Sequence, residues 1–132
     1  MDESRHWPKA SEQEQVLARP LNTRPKFVAS RTLKAPLEWS GALLLGDDAL
    51  GALDRLKREG DGTLLAIGSP GLVQSMLERE LVDELRLMID PVVLGGGKRF
   101  FHDDGRLHRF QLGACTQTTS GALLCTYVRG TE

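Results

Sequence analysis

The segment that most limits how this chain can fold is Thr63-Leu64-Leu65-Ala66-Ile67, which runs without a break into Gly68-Ser69-Pro70-Gly71. A continuous apolar run of that length suits a strand covered on both faces. The Gly, Ser and Pro residues that follow are turn formers and helix starters. Leu72, Val73, Met76 and Leu77 then lie on one stripe of a helix. Leu85-Arg86-Leu87-Met88-Ile89 reads as the next strand, followed by Pro91-Val92-Val93-Leu94 and a glycine run.

The same order occurs upstream. Lys26-Phe27-Val28-Ala29-Ser30-Arg31 and Ala42-Leu43-Leu44-Leu45 read as strands. Asp47-Asp48 offers N-cap carboxylates to a helix that carries Leu50, Leu53 and Leu56 on one stripe. Lys57 and Arg58 complement the negative end of its dipole, and Gly60 can close it. Before these, Ser11-Glu12-Gln13-Glu14 matches a capping box for a short helix that Pro20 ends. Alternating strands and helices predict an α/β fold with a parallel sheet and crossover helices. An antiparallel hairpin from about residue 107 to residue 129 adds to one edge.

Composition narrows the function classes. The chain has 132 residues, which fits one domain. A net charge of -1 argues against a polyanion as the main partner, so nucleic acid is not expected. No apolar run approaches the roughly 20 residues that cross a bilayer. The opening Met1-Asp2-Glu3-Ser4-Arg5 does not have the form of a signal peptide, so a cytoplasmic protein is expected. His6, His102 and His108 show no metal-ligand spacing, and no metal is expected. If Ser120-Gly121 forms a two-residue turn, Cys115 faces Thr126 and Thr116 faces Cys125. The two sulfurs then point to opposite faces of the sheet, and buried free thiols are expected.

Ligands of an open α/β sheet bind at the carboxyl ends of its parallel strands. Gly68-Ser69-Pro70-Gly71 stands at one such end. Ser69 can cap the helix, and backbone N–H groups at its positive end can face a phosphate. On the local residues alone, an ordinary strand-to-helix turn is the stronger reading. Ser30-Arg31-Thr32 stands at another end, with two hydroxyls and a guanidinium suited to the 2′-phosphate of NADPH. The plainer alternative is a solvent-exposed arginine at a strand end. Gly46-Asp47 stands at a third end. Gly95-Gly96-Gly97-Lys98 is not a phosphate loop of the Walker type, because Val92 and Arg99 occupy the positions where Gly and Ser or Thr are required. Asp103-Asp104, next to Gly105, reads as an exposed turn.

Taken together, these segments resemble a known family. The stretch Arg24-Pro25-Lys26-Phe27-Val28-Ala29-Ser30-Arg31-Thr32-Leu33 is similar to bacterial dihydrofolate-reductase-like proteins related to the reductase domain of riboflavin biosynthesis. So are Gly68-Ser69-Pro70-Gly71-Leu72-Val73 and the run Leu81-Val82-Asp83-Glu84-Leu85-Arg86-Leu87. Pro91-Val92-Val93-Leu94-Gly95-Gly96-Gly97-Lys98-Arg99-Phe100-Phe101 is the most specific element.

The resemblance spans about residue 7 to residue 128. It implies a dihydrofolate reductase-like three-layer α/β sandwich with a mostly parallel sheet and a C-terminal hairpin. It also implies an oxidoreductase of the deaminase-reductase C-terminal type that uses NADPH. Ser30, Arg31 and Thr32 would hold the 2′-phosphate side of the cofactor. Gly68, Ser69, Pro70, Gly71 and Leu72 would hold the diphosphate, with Gly95 and Gly96 close by. Hydride would pass to a pterin-like or ribosylamino-pyrimidine substrate.

Family members begin with a strand, a substrate loop and a helix bearing a GRxTYE-like motif ahead of the segment that starts here at Trp7. That strand lies centrally, between those read at residues 63–67 and 85–89. A chain without it must close the gap, borrow a strand from a neighbour, or be part of a longer protein. A homodimer or higher assembly with strand exchange is therefore expected. The alternative function is a catalytically silent homologue that serves as an oligomeric small-molecule-binding protein. No catalytic residue is identifiable: Asp83, Glu84 and Asp90 are candidates by residue type only.

Overall fold

The computed structural model describes Arg19, residues 23–30 and 32–34, Leu37 and residues 41–130. The capping box at residues 11–14 therefore lies outside the described residues. The chain divides into two compact units, Met1–Asp61 and Gly62–Glu132.

In the first unit, β1 (Lys26–Val28) and β2 (Ala42–Leu44) pair in parallel, with Phe27 opposite Leu43. The parallel pairing expected upstream is thus present. Helix α1 (Ala49–Glu59) follows. Asp48 is its N-cap, and its Oδ1 accepts from the Gly51 N–H at 3.1 Å. A Cβ at position 51 would come within 2.1 Å of Asp48 Oδ2, so glycine there gives the capping carboxylate its room. Gly60 closes the helix by donating its N–H to the Leu56 carbonyl at 2.9 Å. Of the predicted stripe, Leu53 is buried and Leu50 and Leu56 are half-buried, and Ala52 is buried beside them.

The second unit is built from α2 (Pro70–Glu78) and a three-stranded antiparallel sheet. Its strands are β3 (Glu84–Ile89), β4 (Phe110–Gln117) and β5 (Leu123–Arg129), in the order β3-β5-β4. Val73 and Leu77 of α2 pack with Val82, and Met76, Leu85, Phe100 and Phe110 close around them. The apolar stripe of α2 therefore lies against residues from β3, β4 and the loop between them.

The strand expected at residues 63–67 does not form, and residues 91–94 are likewise without a strand partner among the described residues. Residues 63–67 and 91–94 belong to no strand among the described residues. Their apolar side chains are exposed, with Leu65 and Ile67 at 73%, Val93 at 97% and Leu94 at 81%. Apolar character favours burial, but a strand also needs a partner for its N–H and C=O groups. The described residues pair no strand with either segment. For the same reason β3, expected as a parallel strand, pairs among the described residues only with β5 and runs antiparallel to it.

Helix α2 ends in a Schellman turn. The Leu81 N–H reaches the Met76 carbonyl at 2.9 Å, and the Glu80 N–H reaches the Leu77 carbonyl at 3.1 Å. Glu80 occupies the left-handed position with φ 56, where a side chain is strained. Arg129 fixes this corner from the end of β5. Its Nη1 donates to the Glu80 carbonyl, and its Nη2 lies 3.4 Å from Asp83 Oδ1. Both of these contacts survive truncation of the Glu80 side chain. Glu80→Gly is accordingly expected to stabilise the protein by about 1 kcal/mol, read as a higher urea midpoint with an unchanged slope.

No helix among the described residues is long and apolar enough to cross a membrane.

Candidate functional site

The turn into α2 is the most explicit candidate. Gly68 has φ +66, and Ser69 follows it into the left-handed region with φ 50. This backbone differs from the expected one in a useful way. Ser69 stands at the N-cap position but makes no side-chain cap bond. An N-cap serine ordinarily needs extended backbone to reach the first-turn N–H groups, and the left-handed turn denies it that geometry. Pro70 occupies the first turn, as predicted. The first hydrogen bond of the helix runs from the Val73 N–H to the Ser69 carbonyl at 3.0 Å. The Gly71 and Leu72 N–H groups thus precede the bonded ladder and point out of the positive end of α2. A Cβ built on Gly68 or Gly71 meets nothing within 4 Å, so the space above the turn is open.

The glycine run lies beyond β3. Gly95 has φ +73, and added Cβ atoms at Gly95 and Gly96 also meet nothing. Gly95 and Gly96 lie in no strand among the described residues and belong to an exposed loop. The loop is nevertheless tied to α2. Gln74 is buried, and its Nε2 donates to the Phe100 carbonyl at 2.6 Å and to the Arg99 carbonyl at 3.4 Å. One helical turn after the Gly68-Ser69-Pro70-Gly71 segment, the chain thus holds the residues that follow the glycine run. Sequence reading missed Gln74. The signal was its helical phase, since it sits between Val73 and Leu77 on the inward stripe.

Ser30 and Thr32 belong to the first unit. Ser30 Oγ accepts from the Thr32 N–H at 3.2 Å and from the Leu33 N–H at 3.1 Å. A hydroxyl that accepts two such bonds keeps its own proton for an outside acceptor. Thr32 is exposed, and Arg31 lies outside the described residues.

A cleft of about 310 Å³ opens where the C-terminal half of α2 meets the loop leading into β4. Leu77, Leu85 and Phe110 contribute its apolar wall. At its rim, Glu78 Oε1 lies 3.6 Å from His102 Nδ1, and Glu78 Oε2 lies 3.6 Å from Arg106 Nη1. Asp104 Oδ1 accepts from the Arg106 N–H at 2.9 Å, an Asx turn that agrees with the turn expected at Asp103-Asp104. Ligand-type atoms of Glu78, His102 and Asp104 come within 4.8 Å of one another, which their sequence spacing concealed. The Arg106 guanidinium already supplies positive charge to both carboxylates.

The hairpin register also departs from expectation. Thr118 N–H donates to the Ala122 carbonyl at 2.8 Å, and Gly121 takes the left-handed position with φ +89. The turn therefore holds three residues rather than two, a common hairpin form. Pairing shifts by one position, so Cys115 faces Cys125 directly and Thr116 faces Leu124. A one-residue shift exchanges the faces. The two thiols, expected on opposite faces, lie on the same one with sulfurs 3.4 Å apart. Cys125 is buried as expected, whereas Cys115 is exposed. The hydrogen bond with Cys115, reinforced by burial and by the negative charge of Cys115 as a thiolate, raises the Cys125 pKa against a lowering hydrogen bond from Tyr127.

Comparison with known proteins agrees with this architecture. The solved structure of a provisionally named riboflavin biosynthesis protein from Shewanella sp. PV-4 superposes with a TM-score of 0.71 at 22% identity, covering 90% of this chain and 70% of that one. A pyrimidine reductase-like protein from Corynebacterium diphtheriae gives a TM-score of 0.55 at 21% identity, over 69% of this chain and 39% of that one. Among curated proteins, the uncharacterized protein YyaP of Bacillus subtilis (strain 168) is 33% identical over 90 residues. That alignment takes in 68% of this chain and 47% of YyaP, so the chain spans about half the length of the curated relative it matches. Residues 2–124 match the RibD C-terminal domain, and the chain belongs to that family.

Proposed function

We propose that this chain is the cofactor-binding part of an NADPH-dependent reductase of the dihydrofolate reductase and riboflavin-biosynthesis reductase type. The observation that carries this reading is the start of α2. There the Gly71 and Leu72 N–H groups emerge uncapped beneath open space at the positive end of the helix. A diphosphate fits this chemistry, because it accepts backbone N–H donors and is drawn to the helix dipole. The free proton of the Ser30 hydroxyl, with Thr32 and Arg31 beside it in sequence, suits the 2′-phosphate that distinguishes NADPH from NADH. Family membership and the name of the Corynebacterium neighbour support the same class. Bound NADPH supplies the hydride, and the chain's part is to bind and orient it. The proposed acceptor is a pterin-like or ribosylamino-pyrimidine ring.

The exposed Leu65, Ile67, Val93 and Leu94 favour a second element of the reading. Two apolar extended segments in water invite pairing with another chain. We infer a homo-oligomer in the cytoplasm that covers them, with strand exchange as the route. Were this assembly to bind small molecules without turning them over, the chain would be a silent homologue.

One fluorescence titration, run with light scattering on the same sample, tests both elements. NADPH is expected to bind more tightly than NADH. Arg31→Ala should weaken NADPH by roughly 10–100-fold, the range for a lost charge-assisted contact of about 1.5–3 kcal/mol. Gly71→Val should abolish binding by filling the open space. No binding at millimolar NADPH would remove the cofactor reading, and a monomeric mass would remove the assembly.

A further inference from the structure

We propose that Cys115 and Cys125 form a redox pair that closes to a disulfide between β4 and β5 on exposure to a low-molecular-weight disulfide of the glutathione type. The two residues are direct partners in the antiparallel register, and their sulfurs lie 3.4 Å apart. Directly opposed residues of an antiparallel pair have Cα atoms roughly 4.5–5.5 Å apart. Disulfides span about 4.4–6.8 Å between Cα atoms. The backbone therefore already lies at bonding separation. Side-chain rotation has to shorten the sulfur distance to the roughly 2.05 Å of the bond.

Exposure divides the roles. Cys115 is exposed and meets the oxidant first, whereas Cys125 is buried and sits next to it. The Cys115 thiol loses its proton, and the thiolate attacks one sulfur of the small disulfide. A mixed disulfide forms and one small thiolate leaves. Cys125 then gives up its proton and attacks the Cys115 sulfur, which forms the protein disulfide and expels the second small thiolate. The two cysteines are oxidised by two electrons, the small disulfide is reduced to two thiols, and the two protons pass to the departing sulfurs. The upward shift of the Cys125 pKa, caused first by its hydrogen bond with Cys115, agrees with its acting second.

Position gives closure a structural effect. Cys125 lies on the central strand, where it also faces Leu87 of β3. A bond at this point staples the hairpin close to its turn and to the Gly113 bulge, where the register shifts between Leu112 and Ala114. The closed and open forms are expected to differ in hairpin opening.

The 132-residue chain is equilibrated in buffers that range from reduced to oxidised glutathione, quenched with acid and read by intact mass and peptide mapping. The expected product has lost two hydrogens, carries a Cys115–Cys125 crosslink and regains both thiols with dithiothreitol. Oxidised protein should also show slower amide exchange in β4 and β5. Cys125→Ser should instead accumulate one glutathione on Cys115, and Cys115→Ser should react far more slowly. Three results would overturn the proposal: two glutathiones on the unmodified chain, a crosslink only between chains, or two thiols persisting in fully oxidised buffer. Because the mass is read on the unsubstituted protein, failure of a variant to fold leaves the test intact.

Discussion

Leu77→Ala is expected to lower the unfolding free energy of the unit that contains α2 by about 2–5 kcal/mol. Leu77 is 6% exposed and packs with Val73 and Val82 beneath Phe100 and Phe110. The cluster is small, and the described residues include no large side chain that is fully buried. Truncation at its centre thus removes a large share of the contacts that hold α2 to the sheet. Domains of this kind are stable by only about 5–15 kcal/mol, so the loss is a large share of the total and is expected as a clearly lower unfolding midpoint. Urea unfolding followed by circular dichroism measures the effect. Met88→Ala, at a position 66% exposed, serves as the control and should change stability by no more than about 0.5 kcal/mol. If both substitutions cost the same, Leu77 is not in a core.

The second large effect is expected at Gln74, through two substitutions that separate shape from chemistry. Gln74→Leu keeps the volume but removes the Nε2 donor, leaving the Arg99 and Phe100 carbonyls without it. A loss of about 1–3 kcal/mol is expected. Gln74→Glu places a carboxylate against those same carbonyl oxygens, and at neutral pH it should cost more than Gln74→Leu. Burial beside two acceptors raises the folded pKa of the new glutamate above its unfolded value. The stabilising contribution of its protonated form is therefore present below about pH 4.3 and is lost as pH rises through the folded pKa. Gln74→Glu should thus regain stability relative to Gln74→Leu on acidification. In both variants, amide exchange at Phe101 and His102 should quicken, since Gln74 fixes the residues just before them. An unchanged exchange pattern would show that this loop is held by other means.

Much of the local structure was legible because its causes are local. Asp48 caps α1 and Gly60 closes it, as residue type and spacing required. Pro70 begins α2, and its stripe buries Val73 and Leu77. The hairpin was visible as two apolar segments around a Ser-Gly turn. The family resemblance was likewise legible, because it rests on ordered motifs such as Pro91-Val92-Val93-Leu94 with its glycines.

The candidate site was legible in type more than in geometry. Gly68-Ser69-Pro70-Gly71 could be recognised as a helix start. The left-handed Ser69 and the missing cap depend on how the whole segment enters α2. Glu78, His102 and Asp104 gather at one cleft from positions up to 26 residues apart, and no short spacing rule detects that.

By itself, the sequence determined helices α1 and α2, the two caps of α1, the presence of a hairpin and the family, since each follows from residues within one or two turns or from motif order. Tertiary structure alone decided three things. It selected the hairpin register, where one extra residue in the turn brings Cys115 and Cys125 to the same face. It assigned Gln74 its partners, because a buried amide must find acceptors wherever the fold supplies them. It also left residues 63–67 and 91–94 without a strand partner among the described residues, despite their apolar character. Hydrophobicity can be read one residue at a time, but a strand exists only when another strand lies alongside to complete its hydrogen bonds.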